Sequence, residues 1–151
     1  MTASKDTLNR MAAEIFELYQ LIAIARSRVP AGPDDLSETE FLTLDALSKV
    51  DMLTIGEIQR LVGVVPAQMS RVIRALEESG GRGYVECRIN PHDRRRVDVS
   101  LTEPGRMAHD KYRSARLGTM YALLSVLSPS DREHFMRIMR LMRESLEQKV
   151  Q

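Results

Sequence analysis

The sequence has a single cysteine and no uninterrupted apolar run close to the roughly 20 residues of a membrane-spanning helix. One cysteine cannot form a disulfide within the chain, and this scarcity agrees with a reducing compartment. Residues 1–6 lack the apolar core of a signal peptide. We therefore expect a cytoplasmic protein that does not enter a membrane.

The motifs that carry enzyme chemistry are also absent. The sequence has no glycine-rich phosphate loop, no nucleophile elbow and no spacing that pairs carboxylates with a histidine. His92, His109 and His134 fall on three separate predicted elements, and there is no CxxC pair. We expect neither catalytic activity, nor a metal site, nor a cofactor.

The overall charge excludes a protein that coats nucleic acid nonspecifically. Lys and Arg total 22 against 21 Asp and Glu, which gives a net charge of +1. Any basic surface must therefore be local. With 151 residues and 43% hydrophobic content, the chain is long enough for one domain, predicted to span 1–151, whose core a dimer would complete.

Residues 54–76 carry the start and stop signals of two short helices. Thr54, followed by Glu57, forms a capping box at the start of the first helix. Gly63 permits the left-handed backbone that ends it, and Pro66 suits the first turn of the second. Two helices separated by three residues must cross sharply, which predicts a helix-turn-helix.

The second helix is predicted to present a polar face to the major groove of DNA. Helical spacing places Met69, Val72, Ile73 and Leu76 on its buried side. On the outer side, Gln suits an adenine edge, and Arg suits guanine or phosphate. A polar surface helix is common in any protein, so this helix alone does not decide the function.

An arginine-rich hairpin strengthens the prediction. Residues 84–89 and 97–101 alternate like strands, and Asn90-Pro91 is a turn signal between them. The basic tip could enter the minor groove or follow the phosphates while the helix occupies the major groove. The predicted DNA-contacting residues are Thr54, Pro66, Ala67, Gln68, Ser70, Arg71, Arg74, Arg88, Arg94, Arg95 and Arg96.

The order of these motifs strongly resembles the winged helix-turn-helix of the multiple-antibiotic-resistance regulator (MarR) family. The segments that carry the resemblance are 53–58, 62–64, 70–71, 76–80, 93–95 and 99–105. In the wing, the Asp-x-Arg of Asp93 and Arg95 is followed by a strand ending in Leu101-Thr102 and then Gly105. The resemblance implies that Asp93 stabilises the wing. It also implies a mainly α fold with a small β-hairpin wing, a DNA-binding region at 34–105, and dimerisation helices at 5–29 and 106–149.

Two departures from the family pattern are notable. Val65 stands where a capping Ser or Thr is usual, so the second helix has a weaker cap, partly offset by Pro66. Gly81-Arg82-Gly83 is inserted between that helix and the wing. This insertion is either a tolerated surface loop, an additional phosphate contact through Arg82, or a hinge that lets the wing move more freely.

The flanking segments predict long amphipathic helices. The first carries an apolar seam, made of Leu8, Met11, Ile15, Leu18, Ile22, Ala25 and Val29, and should end at 30–33. Two more follow residue 104, with a break at 128–130. Their apolar surface predicts a two-fold dimer in which first and last helices interlock, as the resemblance also implies. Such a dimer should read an inverted repeat with half-sites about 10 base pairs apart.

Release from DNA by a small anionic or aromatic effector is a further implication of the resemblance, as is repression. Tyr19, His109, Tyr112 and Tyr121 are candidates to line an effector pocket. A Tyr on an apolar helix face is, however, more often a core residue. The effector and the operator sequence do not follow from the sequence.

Two alternative functions remain open at this stage. One is a winged-helix protein-interaction module without specific DNA binding. The other is a redox-sensing regulator using Cys87, between Glu86 and Arg88 on a predicted strand. In the peroxide-sensing branch of the family the reactive cysteine lies in the first helix, which favours a structural role for Cys87.

Overall fold

The computed structural model describes residues 4–28, 35–77 and 82–150. Its elements are α1 (Lys5–Ser27), α2 (Glu38–Leu47), β1 (Leu53–Thr54), α3 (Ile55–Val62), α4 (Pro66–Leu76), β2 (Val85–Ile89), β3 (Val97–Leu101), α5 (Glu103–Ser125) and α6 (Pro129–Val150). The predicted fold class, mainly α with a small β wing, is confirmed. Residues 30–33 and Gly81, which carried two of the predictions, lie outside the described residues.

Helix α1 belongs to a unit of its own, and a second compact unit begins at Leu36. No residue of α1 is buried. Leu8, Met11 and Ile15 of the predicted seam are each more than half exposed. Among the described residues, no helix is both long enough and apolar enough to cross a membrane.

The predicted helix signals of α3 are confirmed, and α2 begins with a capping box of the same type. At α2, the Ser37 hydroxyl accepts the Glu40 N–H and the Glu40 carboxylate accepts the Ser37 N–H, which completes a capping box. Thr54 and Glu57 form the same reciprocal pair at α3. Gly63 then ends α3 with φ 74°.

Helix α4 begins without a side-chain cap. Val65 occupies the cap position in an extended conformation, φ −73° and ψ 151°, and Pro66 follows at the first helical position. A hydroxyl at residue 65 would have the backbone geometry needed to accept an N–H group of the first turn. The weaker cap inferred from the sequence is therefore present.

Restoring this cap should stabilise the protein. We expect Val65→Thr to raise the free energy of unfolding by about 1 kcal/mol, the usual value of a capping hydroxyl. Chemical denaturation monitored by circular dichroism measures the change, with Val65→Ala as the control that shortens the side chain without adding a cap. A threonine variant no more stable than the alanine variant would show that the hydroxyl does not cap α4.

The wing is part of a three-stranded antiparallel sheet, of order β1-β3-β2. The hairpin register runs from Val85 opposite Leu101 to Ile89 opposite Val97. The prediction contained β2 and β3 but not β1, in which Leu53 pairs with Val99 and Thr54 with Asp98. Two residues are too short to show a strand periodicity, so β1 is visible only through its partner strand.

The core lies between α2, α3, α4 and the sheet. Its fully buried side chains are Leu44, Leu47, Ile58, Met69, Leu76, Val85 and Val99. From the sequence, Leu42 and Leu61 are expected on the buried faces of α2 and α3. This prediction is wrong, because Leu42 is 42% and Leu61 66% exposed. Leu42 lies about 200° around α2 from the buried Leu44, and Leu61 lies on the far side of Ile58 from Val62.

Residues 83–84, which lead into the wing, contact the start of α5 through their backbone. The Tyr84 N–H donates to Leu76 O at 2.8 Å, and the Thr102 N–H donates to Tyr84 O at 3.1 Å. The Thr102 hydroxyl donates to Gly83 O at 2.6 Å and accepts the Gly105 N–H at 3.1 Å, which caps α5. Gly105 is buried directly against Tyr84.

Candidate nucleic-acid interface

Helix α4 presents the polar face that the sequence predicted. Met69, Ile73 and Leu76 are buried and hold one side of the helix against the core. The opposite side is exposed, as the prediction required, and consists of Pro66, Ala67, Gln68, Ser70, Arg71 and Arg74. Packing therefore fixes which side chains can reach a DNA groove.

Asn90 organises the turn at the tip of the wing. Its side-chain oxygen accepts the N–H groups of His92 and Asp93, each at 2.9 Å, and its side-chain amide donates to both Asp98 oxygens at 2.8 and 3.1 Å. Its own N–H donates to Arg96 O at 2.9 Å. Asn90 and Asp98 were not predicted from the sequence as wing-ordering residues. The available signal was the tendency of Asn to accept hydrogen bonds from residues just after it.

Asp93 stabilises the wing mainly through the backbone. Its carboxylate accepts the Arg95 N–H at 3.1 Å, while its oxygens lie 3.5 Å from Arg96 Nε and 3.9 Å from Arg95 Nε. The Arg95 side chain is 96% exposed, and Arg94 and Arg96 are also exposed. The turn is therefore held by Asp93 while the guanidinium groups extend into solvent.

Two of the predicted DNA contacts are already engaged within the protein. Arg88 Nε and Nη2 donate to Glu86 Oε1 at 3.1 and 2.9 Å, so its charge is partly offset. The Thr54 hydroxyl donates to Glu57 Oε2 at 2.7 Å. Hydrogen bonds from the Thr54 backbone and hydroxyl, with smaller contributions from Arg60 and Arg96, hold the pKa of Glu57 below its usual value. The Thr54 hydroxyl would have to exchange its partner to donate a hydrogen bond to DNA.

Of the four candidates for an effector pocket, His109 and Tyr112 contact the same ring of α2. The Phe41 ring stacks on His109 at 5.2 Å and on Tyr112 at 4.5 Å between ring centres. Tyr121 is 77% exposed, and Tyr19 belongs to the separately described α1. The stack supports the packing role for His109 and Tyr112.

Polar contacts fix the edges of this aromatic stack. His109 is buried, with Nε2 at 3.0 Å from Asp45 Oδ1 and Nδ1 at 2.9 Å from Asp110 Oδ1. Partial burial acts to raise the pKa of Asp45, but hydrogen bonds from Lys49 and His109 outweigh it and lower that pKa. Arg116 Nη2 donates to the Tyr112 hydroxyl at 2.6 Å. The His109–Asp45 contact ties α5 to α2.

Cys87 lacks the properties of a redox sensor. Burial, together with Glu77 and Glu86, raises the pKa of its thiol to about 11. A peroxide-reactive cysteine needs a lowered pKa, because the thiolate is the nucleophile. Within the described ranges, no group of three or more His, Cys, Asp or Glu side chains could hold a metal ion.

The second helix of a short helix pair is anchored to the core, and a β-hairpin with an arginine-rich tip follows the pair. This arrangement defines a winged helix-turn-helix protein. The MarR family model matches residues 36–97, which cover α2 to the start of β3. An uncharacterised HTH-type transcriptional regulator of Mycobacterium bovis, Mb0904, is 30% identical over 129 residues, covering 85% of this chain and 87% of the relative. The chain therefore belongs to the MarR family, and it is a transcription regulator, not an enzyme.

Solved structures agree on the fold. Streptococcus pneumoniae FabT, crystallised in complex with DNA, has a TM-score of 0.70 and 21% identity, covering 96% of this chain and 99% of its own. Bordetella bronchiseptica BpsR, whose DNA binding is regulated by 6-hydroxynicotinic acid, has a TM-score of 0.63 and 21% identity, covering 89% and 98%. At this identity the likeness establishes the architecture only.

Proposed function

We propose that this regulator is a homodimeric repressor that binds an inverted-repeat operator in double-stranded DNA through α4 and the wing. One observation carries the proposal: a single sheet connects the helix-turn-helix to the arginine-rich wing. β1 leads directly into α3, and β1 pairs with β3 of the wing, so the helix-turn-helix and the arginine tip have a fixed relation. FabT, a protein of the same fold, binds DNA.

Each predicted contact has a role in this complex. Gln68 and Arg71, near the start of α4, would read base edges in the major groove, and Arg74 would approach phosphate. Arg94, Arg95 and Arg96 would enter the minor groove or follow the backbone beside it. Ser70, Ala67, Pro66, Thr54 and Arg88 would complete the contact surface.

The dimer is proposed from the apolar surface of the flanking helices, 5–29 and 106–149. Residues 129–149 of α6 include no buried residue, although they carry Phe135, Met136, Ile138, Met139, Leu141, Met142 and Leu146. An apolar surface of this extent is typical of a protein interface. A second copy of the chain would cover it, and the two-fold symmetry would place the half-sites about 10 base pairs apart.

We also propose that a small aromatic or anionic effector releases the dimer from DNA in the cytoplasm. Support comes from BpsR, which responds to an aromatic molecule. His109 and Tyr112 lie where α5 meets α2, so a ligand that opened their stack on Phe41 would shift α5 relative to the DNA-binding unit. Tyr19 and Tyr121 are proposed to complete the pocket in the dimer.

A salt-titrated binding assay tests the proposed function. Purified protein would be titrated against the DNA flanking its own gene and against duplexes selected from a random library, with a scrambled duplex as control. We expect a preference of about a thousandfold or more for one inverted repeat and a footprint of dimer size. We also expect log affinity to fall linearly with log salt, by about 0.9 for each phosphate neutralised. Equal, weak binding to every duplex would contradict the proposal.

A further inference from the structure

Arg82, in the inserted segment, is anchored to the N-terminal end of α2. The Arg82 guanidinium donates through Nη2 to Glu40 Oε1, and the two residues are 42 positions apart in sequence. Both side chains are largely buried, with 22% of Arg82 and 12% of Glu40 exposed. Neither a loose surface loop nor a phosphate-binding side chain is expected to be held in this way.

Glu40 takes part in two interactions at once. Its Oε2 accepts the Ser37 N–H at 2.7 Å in the capping box of α2, while Oε1 accepts Arg82. The capping box fixes the carboxylate on the first turn of α2, so Arg82 binds a preoriented partner. A guanidinium is suited to such a partner because its donors form a rigid fork.

Arg82 is also linked to the wing and to α5. Its guanidinium carbon lies 5.2 Å from the centre of the Tyr84 ring, a cation–π distance. The Tyr84 backbone bonds to Leu76 at the end of α4 and to Thr102 at the start of α5. The segment 82–84 is therefore the point at which α2, α4, the wing and α5 meet.

We propose that Arg82 is a positioning residue, which sets the angle between α4 and the wing by tying their connecting segment to Glu40 of α2. It does so without contacting DNA. This inference depends on the proposed function, because the angle matters only if α4 and the wing bind one operator together. A movement of α2 would reach the wing through this contact, and a movement of α5 would reach it through the Thr102–Tyr84 hydrogen bond.

The salt dependence of DNA binding separates a positioning residue from a phosphate contact. We expect Arg82→Met, which retains an apolar stem but removes the charge, to weaken operator binding at least tenfold. It should leave scrambled-duplex affinity and the salt slope unchanged, because no phosphate contact is lost. The matched control is Arg95→Ala, which should weaken binding to both duplexes and reduce the slope by about 0.9 for each subunit.

Glu40→Gln tests the other side of the pair. Glutamine at this position can still complete the capping box, so the change removes the partner of Arg82 with little effect on the cap. We expect it to reproduce the specific loss seen with Arg82→Met. The double variant should bind no more weakly than either single variant, since both changes break one contact.

Amide hydrogen exchange provides a measurement without DNA. The N–H groups of Tyr84 and Thr102 should exchange at least tenfold faster in Arg82→Met than in the native protein. In Arg82→Lys, which retains the positive charge, the same two amides should exchange at an intermediate rate. This variant replaces Arg82→Met in the test if Arg82→Met does not fold.

Three results would overturn the positioning role. The first is a salt slope reduced as much as in Arg95→Ala, which would make Arg82 a phosphate contact. The second is operator affinity within twofold of the native value. The third is unchanged exchange at both amides. A native protein with no preferred duplex would instead contradict the proposed function, and the exchange measurement would still decide the role of Arg82.

Discussion

Arg71→Glu combined with Arg95→Glu is expected to abolish specific operator binding, raising the dissociation constant about a thousandfold or more. Arg71 lies on the exposed face of α4, and Arg95 is 96% exposed at the wing tip. Each reversal replaces attraction to a phosphate or base with repulsion, and the dimer carries each change twice. Arginine contacts to phosphate account for much of the affinity of such complexes. Electrophoretic mobility shift at moderate salt measures the loss.

The control is a pair of reversals with the same charge change, Lys111→Glu with Arg113→Glu, used once size-exclusion chromatography shows that this variant has the same oligomeric state as the native protein. Both residues are exposed on α5, outside α4 and the wing. This control should weaken binding far less, because only the general field of the protein changes. The same variants test the docking alternative. If the chain were a protein-interaction module, the variant Arg71→Glu with Arg95→Glu would still bind its protein partner. Near-native affinity of the same variant for the operator would contradict the proposed interface.

Gly105→Ala is expected to destabilise the protein strongly, because Gly105 is the one of the four described glycines 56, 63, 105 and 118 at which an added Cβ would meet other atoms within 4 Å. A Cβ at this position would lie 2.0 Å from Tyr84 O, 2.8 Å from Tyr84 C and 2.9 Å from Leu101 Cδ1. The first two atoms are backbone, so α5 would have to move away from the segment that leads into β2. The Thr102 N–H to Tyr84 O hydrogen bond would be strained by the same movement. We expect a loss of about 3 kcal/mol or more.

Thermal unfolding followed by circular dichroism measures this loss, which corresponds to a Tm lower by about 10 °C in a chain of this length. Gly56→Ala is the matched control, because Gly56 lies in the first turn of α3 and an added Cβ there meets nothing within 4 Å. The control should be neutral or slightly stabilising, since alanine favours a helix over glycine. Equal stability of the two variants would mean that α5 can shift without cost.

The parts of the fold that could be predicted from the sequence are those determined by short-range chemistry. Thr54 with Glu57, Gly63 and Pro66 each act within one helical turn, so their residue types indicate the helix ends directly. The exposed face of α4 followed from helical periodicity in the same way. The wing strands were predicted from their alternation and from the Asn90-Pro91 turn.

The parts that could not be predicted depend on contacts between distant residues. β1 exists because Leu53 and Thr54 meet β3, and the sequence around them contains no strand pattern. The pairing of Arg82 with Glu40 joins residues that only the folded chain brings together. The exposure of Leu61 shows the same limit, since its spacing from Ile58 fits the buried face and only the actual orientation of α3 excludes it.

The wing turn held by Asn90 has a consequence for the entropy of recognition. Ordering a flexible loop upon binding costs about 1 to 2 kcal/mol per residue in backbone freedom. Here Asn90, Asp93 and Asp98 already satisfy the turn before any DNA arrives. Complex formation therefore has to restrain arginine side chains rather than fold a loop. Its heat capacity change should then reflect the buried contact surface alone, without the additional term that accompanies coupled folding.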